Sequence, residues 1–349
     1  MNSTTPSWFK TAPLAQASFG ASFALPKTET LADLIEKLER SPDVLPSALT
    51  AAEGLLVLKH FDAITDDPQL LVRLSRLMGP EVENYHETTT PTRLIHDKVP
   101  EIIKISNLPP MNFDVPELPD PPLTESGEIP VQFPHRRGWH TDQSFRRPPP
   151  DVSLFYAMQP CPKGQGQTLY ANGTAAYAAL SDEQKQRIDG RYAIHAIPWT
   201  GRGEDEVRRG ETPKPLQPHQ ASQRQPIVRT HPVSKRPALY MCEEGQLDWV
   251  IGPIEGLSPG PDADGAALVY ELMSHYTRKE FTYAHDWDRG DLLIHDNRNL
   301  VHSATWFDAK RHGRLMWRTT VMGNAGDEYS GECKSWIPVE GEEFDPEVF

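Results

Sequence analysis

The sequence predicts a mainly β protein, an antiparallel sandwich or barrel with helices packed outside it. Three observations carry that prediction. Short apolar runs recur along the chain, helical periodicity is confined to a few stretches, and the two do not alternate as in a parallel α/β fold. Proline is the third: 34 of 349 residues is nearly double the usual share of about 5%, which favours loops and strand ends over long helices. Apolar residues at 38% and charged residues at 24% fit a globular chain, so a single domain over 1–349, with insertions, is expected.

The net charge of −14 argues against nucleic acid or an anionic membrane as partner. No run of 18 apolar residues occurs, and Met1–Pro6 lacks the basic and apolar segments of a leader. Cys161, Cys242 and Cys333 are too scattered for a disulfide framework or a zinc site. A reduced, cytoplasmic protein is expected, with homo-oligomerisation left open.

Taken in order, residues 1–27 read as an irregular lead-in. Thr30–Arg40 has leucines at helical spacing behind a Thr cap. Gly54–Phe61 reads as a strand, Asp67–Met78 as a helix stopped by Gly79-Pro80, and Glu101–Asn107 as another strand. Pro109–Pro134 is acidic and proline-rich; between an apolar strand and a cluster of polar chemistry, it reads as an active-site lid rather than a linker. Asp151–Met158 and Gly166–Asn172 are strand-like, Ala175–Ile188 helical, and Arg191–Ile197 a further strand. Thr200–Pro226 reads as a second loop excursion, Ile227–Met241 as two strands about a turn, and Asp264–Lys279 as the longest helix. Strands are expected within Gly290–Ala304 and over Arg314–Met322.

The chemistry centres on Trp139-His-Thr-Asp-Gln-Ser-Phe145. In extended backbone, His140 and Asp142 leave the same face with α-carbons roughly 6.6–7 Å apart, close enough to converge on one cation. A third ligand is needed. Among thirteen histidines, His302 stands out by following the polar Asp296-Asn-Arg298 turn; His295 is its rival, or else a supporting group. Two imidazoles and a carboxylate leave open positions, the donor set of non-haem Fe(II) oxygenases. Arg314, Met316 and Arg318 share one face of a strand. Two inward guanidinium groups require anions, supplied by a ligand or by the chain's own surplus acids.

These blocks, with Gly166-Gln-Thr-Leu-Tyr-Ala-Asn172 and Asp296-Asn-Arg-Asn-Leu-Val-His302, resemble the taurine dioxygenase / 2,4-dichlorophenoxyacetate dioxygenase family in order and separation, from about Gly54 to Gly323. The resemblance implies a double-stranded β-helix (jelly-roll or cupin-like) core using Fe(II), 2-oxoglutarate and O₂ and releasing succinate and CO₂. It implies His140, Asp142 and His302 as iron ligands, Arg314 gripping the far carboxylate of 2-oxoglutarate, Thr168 assisting, and Arg318 facing an acidic group of the substrate. The expected substrate is a small or medium organic acid, oxidised, most simply hydroxylated, at an unactivated C–H. Tyr85 and Asn107 are candidates to line its pocket, and Arg136 and Arg137 read as a solvated basic turn or as further anion contacts. The alternatives are a neutral or heterocyclic substrate with Arg318 paired internally, or a β-helix that binds a small acid or metal without turnover.

Overall fold

The computed structural model describes residues 6–15, 17–88, 90–113, 115, 138–322, 329 and 334–336. Most of the expected lid, with Arg136 and Arg137, and also Cys333, lies outside the described residues.

The first third supplies strands β1 (Ala12–Pro13), β2 (Ala21–Ala24), β3 (Leu55–Lys59), β4 (Glu81–Val82) and β5 (Ile103–Ser106). It also supplies helices α1 (Leu31–Glu39), α2 (Val44–Ala51) and α3 (Gln69–Met78). The lead-in is therefore not wholly irregular: β2 pairs in parallel with β3, burying Phe23. Thr30 caps α1 by accepting a hydrogen bond from the Asp33 N–H at 3.1 Å, and Leu31, Leu34, Ile35 and Leu38 form its buried stripe. Helix α2 was not expected, because its apolar sequence lacks a polar face; Pro46 sits in its first turn, where a missing N–H is harmless.

Next come β6 (Val152–Gln159), β7 (Thr168–Asn172), α4 (Gly173–Ala178), α5 (Asp182–Ile188), β8 (Tyr192–His195), α6 (Glu204–Arg208) and β9 (Gln223–Pro226). The single helix expected over Ala175–Ile188 is two. Ser181 accepts from the Gln184 N–H while Gln184 Oε1 accepts from the Ser181 N–H, a capping box that starts α5 afresh. The excursion over 200–226 contains α6, and β9 pairs with β8. Strands β10 (Val228–Thr230) and β11 (Pro237–Leu239) form the expected pair, and α7 (Asp264–Tyr276) the long helix. Strands β12 (Thr282–His285), β13 (Leu292–Asp296), β14 (Leu300–Ala304) and β15 (Leu315–Met322) complete the chain; β12 was not foreseen.

The large sheet runs β1-β2-β3-β13-β6-β15-β4, with β5 also on β15, and the small sheet runs β12-β7-β14. Period-two alternation assigns each side chain to a layer. Leu154, Tyr156, Leu292, Ile294 and Trp317 face α1 to α3, whereas Phe155, Ala157, Leu293 and Met316 pack toward Tyr170 and Leu300 of the small sheet. Leu169, Ala171 and Val301 on the far side of the small sheet pack on Leu272 and Met273 of α7. Two sheets with helices outside is the architecture expected, and the face of Met316 is the inner one. Among the described residues no helix is long and apolar enough to cross a membrane.

Candidate active site

A single rung of backbone pairing assembles the proposed metal ligands. The His140 N–H donates to the His302 carbonyl at 2.9 Å and the His302 N–H returns a bond at 2.7 Å, bringing the ring centroids to 4.3 Å. Asp142 follows two residues later. Ligand atoms from His140, Asp142 and His302 lie within 4.8 Å of one another, the distances one shared cation needs.

Each ligand is oriented. His140 Nδ1 lies 2.8 Å from the Gly138 carbonyl, which can only accept, so Nδ1 carries the hydrogen and Nε2 keeps its lone pair. Asp142, 1% exposed, accepts at Oδ2 from Ser153 Oγ (2.6 Å) and His295 Nε2 (3.2 Å). Its Oδ1 pairs with Arg318 and lies 3.8 Å from His302 Nε2. Its backbone N–H donates to Asn297 Oδ1, while Asn297 Nδ2 donates to Ser153 Oγ at 2.9 Å. His295 is thus turned toward the Asp142 carboxylate as a donor.

Electrostatics suit metal ligation. Burial lowers the pKa of His140, and burial together with His140 lowers that of His302 well below the ordinary value, so both imidazoles are neutral near pH 7. Burial alone would raise the pKa of Asp142; Arg318, His302 and His295 together hold it well below the usual carboxylate range.

The two arginines differ. Arg318 finds its anion within the chain, in Asp142 itself. Fully buried Tyr85 lies beside it, its hydroxyl 2.8 Å from Thr320 Oγ1. Arg314 is buried too, but no acid among the described residues pairs with it, and its Nε has no acceptor. Its guanidinium lies 5.7 Å from the Phe155 ring, and burial pushes its pKa down. Gly166, at φ +59°, would place a Cβ 2.9 Å from Cys161 Sγ, so the backbone conformation and this close approach to Cys161 both favour glycine beside the Arg314 stem. Two residues on, Thr168 Oγ1 accepts from Trp287 Nε1 at 3.0 Å, which leaves its own hydrogen to donate.

Asn107 is tied to the backbone before β15. Its Nδ2 donates to the His312 carbonyl (3.1 Å) and its Oδ1 accepts from the Arg314 N–H (2.8 Å), so it clamps the backbone that delivers Arg314. Sequence reasoning missed Ser153, Asn297 and Trp287. For Ser153 a signal exists: a polar residue on the inward face of an otherwise apolar strand.

Comparison with known proteins shows the family. The family described as taurine catabolism dioxygenase TauD, TfdA family matches residues 10–320. An α-ketoglutarate-dependent 2,4-dichlorophenoxyacetate dioxygenase of Cupriavidus pinatubonensis is 32% identical over 52% of this chain and 59% of its own length. Pentalenolactone F synthase of Streptomyces arenae is 30% identical over 49% of this chain and 57% of its own. The chain thus spans less than two thirds of the length of these curated relatives. A crystal structure of AAD-2 with Mn(II) and N-oxalylglycine is 26% identical, with a TM-score of 0.64, covering 93% of this chain and 99% of that one. At 23% identity and a TM-score of 0.62, a putative α-ketoglutarate-dependent taurine dioxygenase from Burkholderia xenovorans shares the fold over 91% of this chain and 90% of its own. With its family matched over nearly its whole length, the chain belongs to the TauD, TfdA family.

Proposed function

We propose that the chain is a single catalytic domain, an Fe(II)- and 2-oxoglutarate-dependent dioxygenase that oxidises an unactivated C–H of a small or medium organic acid in the cytoplasm. The observation that carries this reading is a buried Arg314, without an acid partner among the described residues, on the inner strand face of a protein with three convergent metal ligands. The residues fit the group: two neutral imidazoles and one carboxylate are the donor set of ferrous oxygenases. His140, Asp142 and His302 would hold the iron, which with 2-oxoglutarate and O₂ supplies the oxidising power to break a C–H bond, releasing succinate and CO₂.

The chain's own part is positional. Arg314 offers two parallel charge-assisted hydrogen bonds to a carboxylate, and Thr168 adds a hydroxyl donor. Ser153 and His295 engage Oδ2 of Asp142, leaving Oδ1 toward His302 and Arg318. The apolar side chains of Phe155, Leu293 and Met316 keep the chamber dry. Organic acids as substrates are supported by relatives named for 2,4-dichlorophenoxyacetate and (S)-phenoxypropionate. A cytoplasmic setting is supported by the unpaired, buried thiols of Cys161 and Cys242.

A second reading, a neutral or heterocyclic substrate, is favoured by the ion pair that already occupies Arg318. Oxygen uptake coupled to succinate release, measured with Fe(II) over a panel of acids and neutral analogues, tests both. Coupling to acids, lost in Arg318→Ala, is the expected result; coupling to a neutral compound that survives Arg318→Ala selects the second reading. Iron loading with neither oxygen uptake nor succinate would leave a binding protein.

A further inference from the structure

The chamber between the sheets is walled largely by apolar side chains, so a bare polar atom within it requires a reason. Tyr170 lies on β7, the middle strand of the small sheet, opposite His302 on β14 and Tyr283 on β12. Its ring is fixed by neighbours, with centroids 5.3 Å from His295 and 5.8 Å from His302. The side chain is fully buried, yet its hydroxyl has no hydrogen-bond partner among the described residues. Nearly all buried hydroxyls are partnered, because a bare one forfeits its bonds to water and gains nothing in return.

Asp142, Arg314 and Tyr283 all lie close enough to act electrostatically on this phenol. A phenol keeps its proton at neutral pH and can donate. Arg314 Nε is likewise buried without an acceptor among the described residues. An acceptor-rich anion would satisfy donors that this chain leaves bare.

We propose that Tyr170 is a binding residue for 2-oxoglutarate, its hydroxyl donating to an oxygen of the keto acid alongside Arg314 and Thr168. This rests on the dioxygenase reading above. It also explains a local sacrifice: a phenylalanine would fill the same volume without stranding a hydroxyl.

The test is calorimetric titration of 2-oxoglutarate into the Mn(II)-loaded protein, comparing wild type with Tyr170→Phe. The variant is expected to raise Kd on the order of three- to tenfold, with Mn(II) affinity unchanged. Its unfolding midpoint without ligand should equal or exceed that of wild type. An unchanged Kd for 2-oxoglutarate would overturn the proposal while leaving the dioxygenase reading intact; wild type that fails to bind 2-oxoglutarate would remove both. The anaerobic Fe(II)–2-oxoglutarate charge-transfer band then locates the bond. A shifted band in Tyr170→Phe places it at the chelating end, and an unmoved band with weaker binding places it at the carboxylate held by Arg314. Should the variant not fold, 3-fluorotyrosine labelling of the intact protein replaces it: the Tyr170 resonance must shift on adding 2-oxoglutarate, and a stationary one overturns the proposal.

Discussion

Arg298 and Arg314 are buried almost equally, 7% and 8% exposed, yet they live in opposite ionic worlds. Arg298 donates from Nε and Nη2 to both oxygens of Asp296 (2.8 and 2.6 Å), with Asp151 at 3.4 Å and His231 also on Asp296. Burial alone would lower its pKa, but Asp296 raises it. Among the described residues Arg314 has no such acid, and burial prevails. A buried charge without a partner is costly to keep, so burial by itself does not separate a structural arginine from a binding one; the identity of its anion does. Arg298 ties the β13–β14 turn, whereas Arg314, on the proposed reading, receives its anion from a bound ligand.

The largest expected effect tests whether that anion depends on the metal. His302→Ala should abolish metal binding and turnover and weaken 2-oxoglutarate binding despite an intact Arg314, with little change in urea midpoint. Metal titration and denaturation together check it; retained metal affinity would show that His302 is not a ligand. Next, Arg298→Met should cost about 3–5 kcal/mol of stability, since it strands Asp296 and Asp151 in the interior. A urea midpoint equal to wild type would erase the contrast between the two arginines. Arg314→Ala should leave the midpoint near that of wild type but weaken 2-oxoglutarate by about 1.5–3 kcal/mol, measured by titration of the Mn(II) form. Loss of folding instead would make it a second Arg298.

The smallest effect appears in acid. Burial would raise the pKa of Asp296, but Arg298 and His231 outweigh it and hold the carboxyl far below its ordinary value. The unfolded chain therefore takes up a proton at about pH 3.9 that the folded one refuses, so this contribution is complete above that pH and declines as pH falls below it. Denaturation of Asp296→Asn between pH 5 and 2.5 should show a shallower slope than wild type; identical slopes would mean that other carboxyls govern acid unfolding.

What the chain disclosed in advance follows from how local each feature is. The cap on α1 and the shared face of Arg314, Met316 and Arg318 depend on neighbours within a few residues, and both stand where expected. The His-x-Asp pair was readable because its spacing carries chemistry by itself, and His302 because of its resemblance to a known pattern. Strand β12 was not readable: Thr282-Tyr-Ala-His285 has no apolar run and is a strand only because β7 offers it an edge. Nor were Asn107's role and Arg318's partner, each set by a contact between residues distant in sequence.

The rung joining His140 to His302 also fixes when during synthesis an ion can be caught. While the ribosome is still making β13, a nascent chain already carries two of the three ligands but not the strand that presents the last. The cation cannot template the early chain, because closing so long a loop must come first. If His302 is the third ligand, metal capture therefore requires the chain through β14, and any fragment ending before it should fail to bind iron.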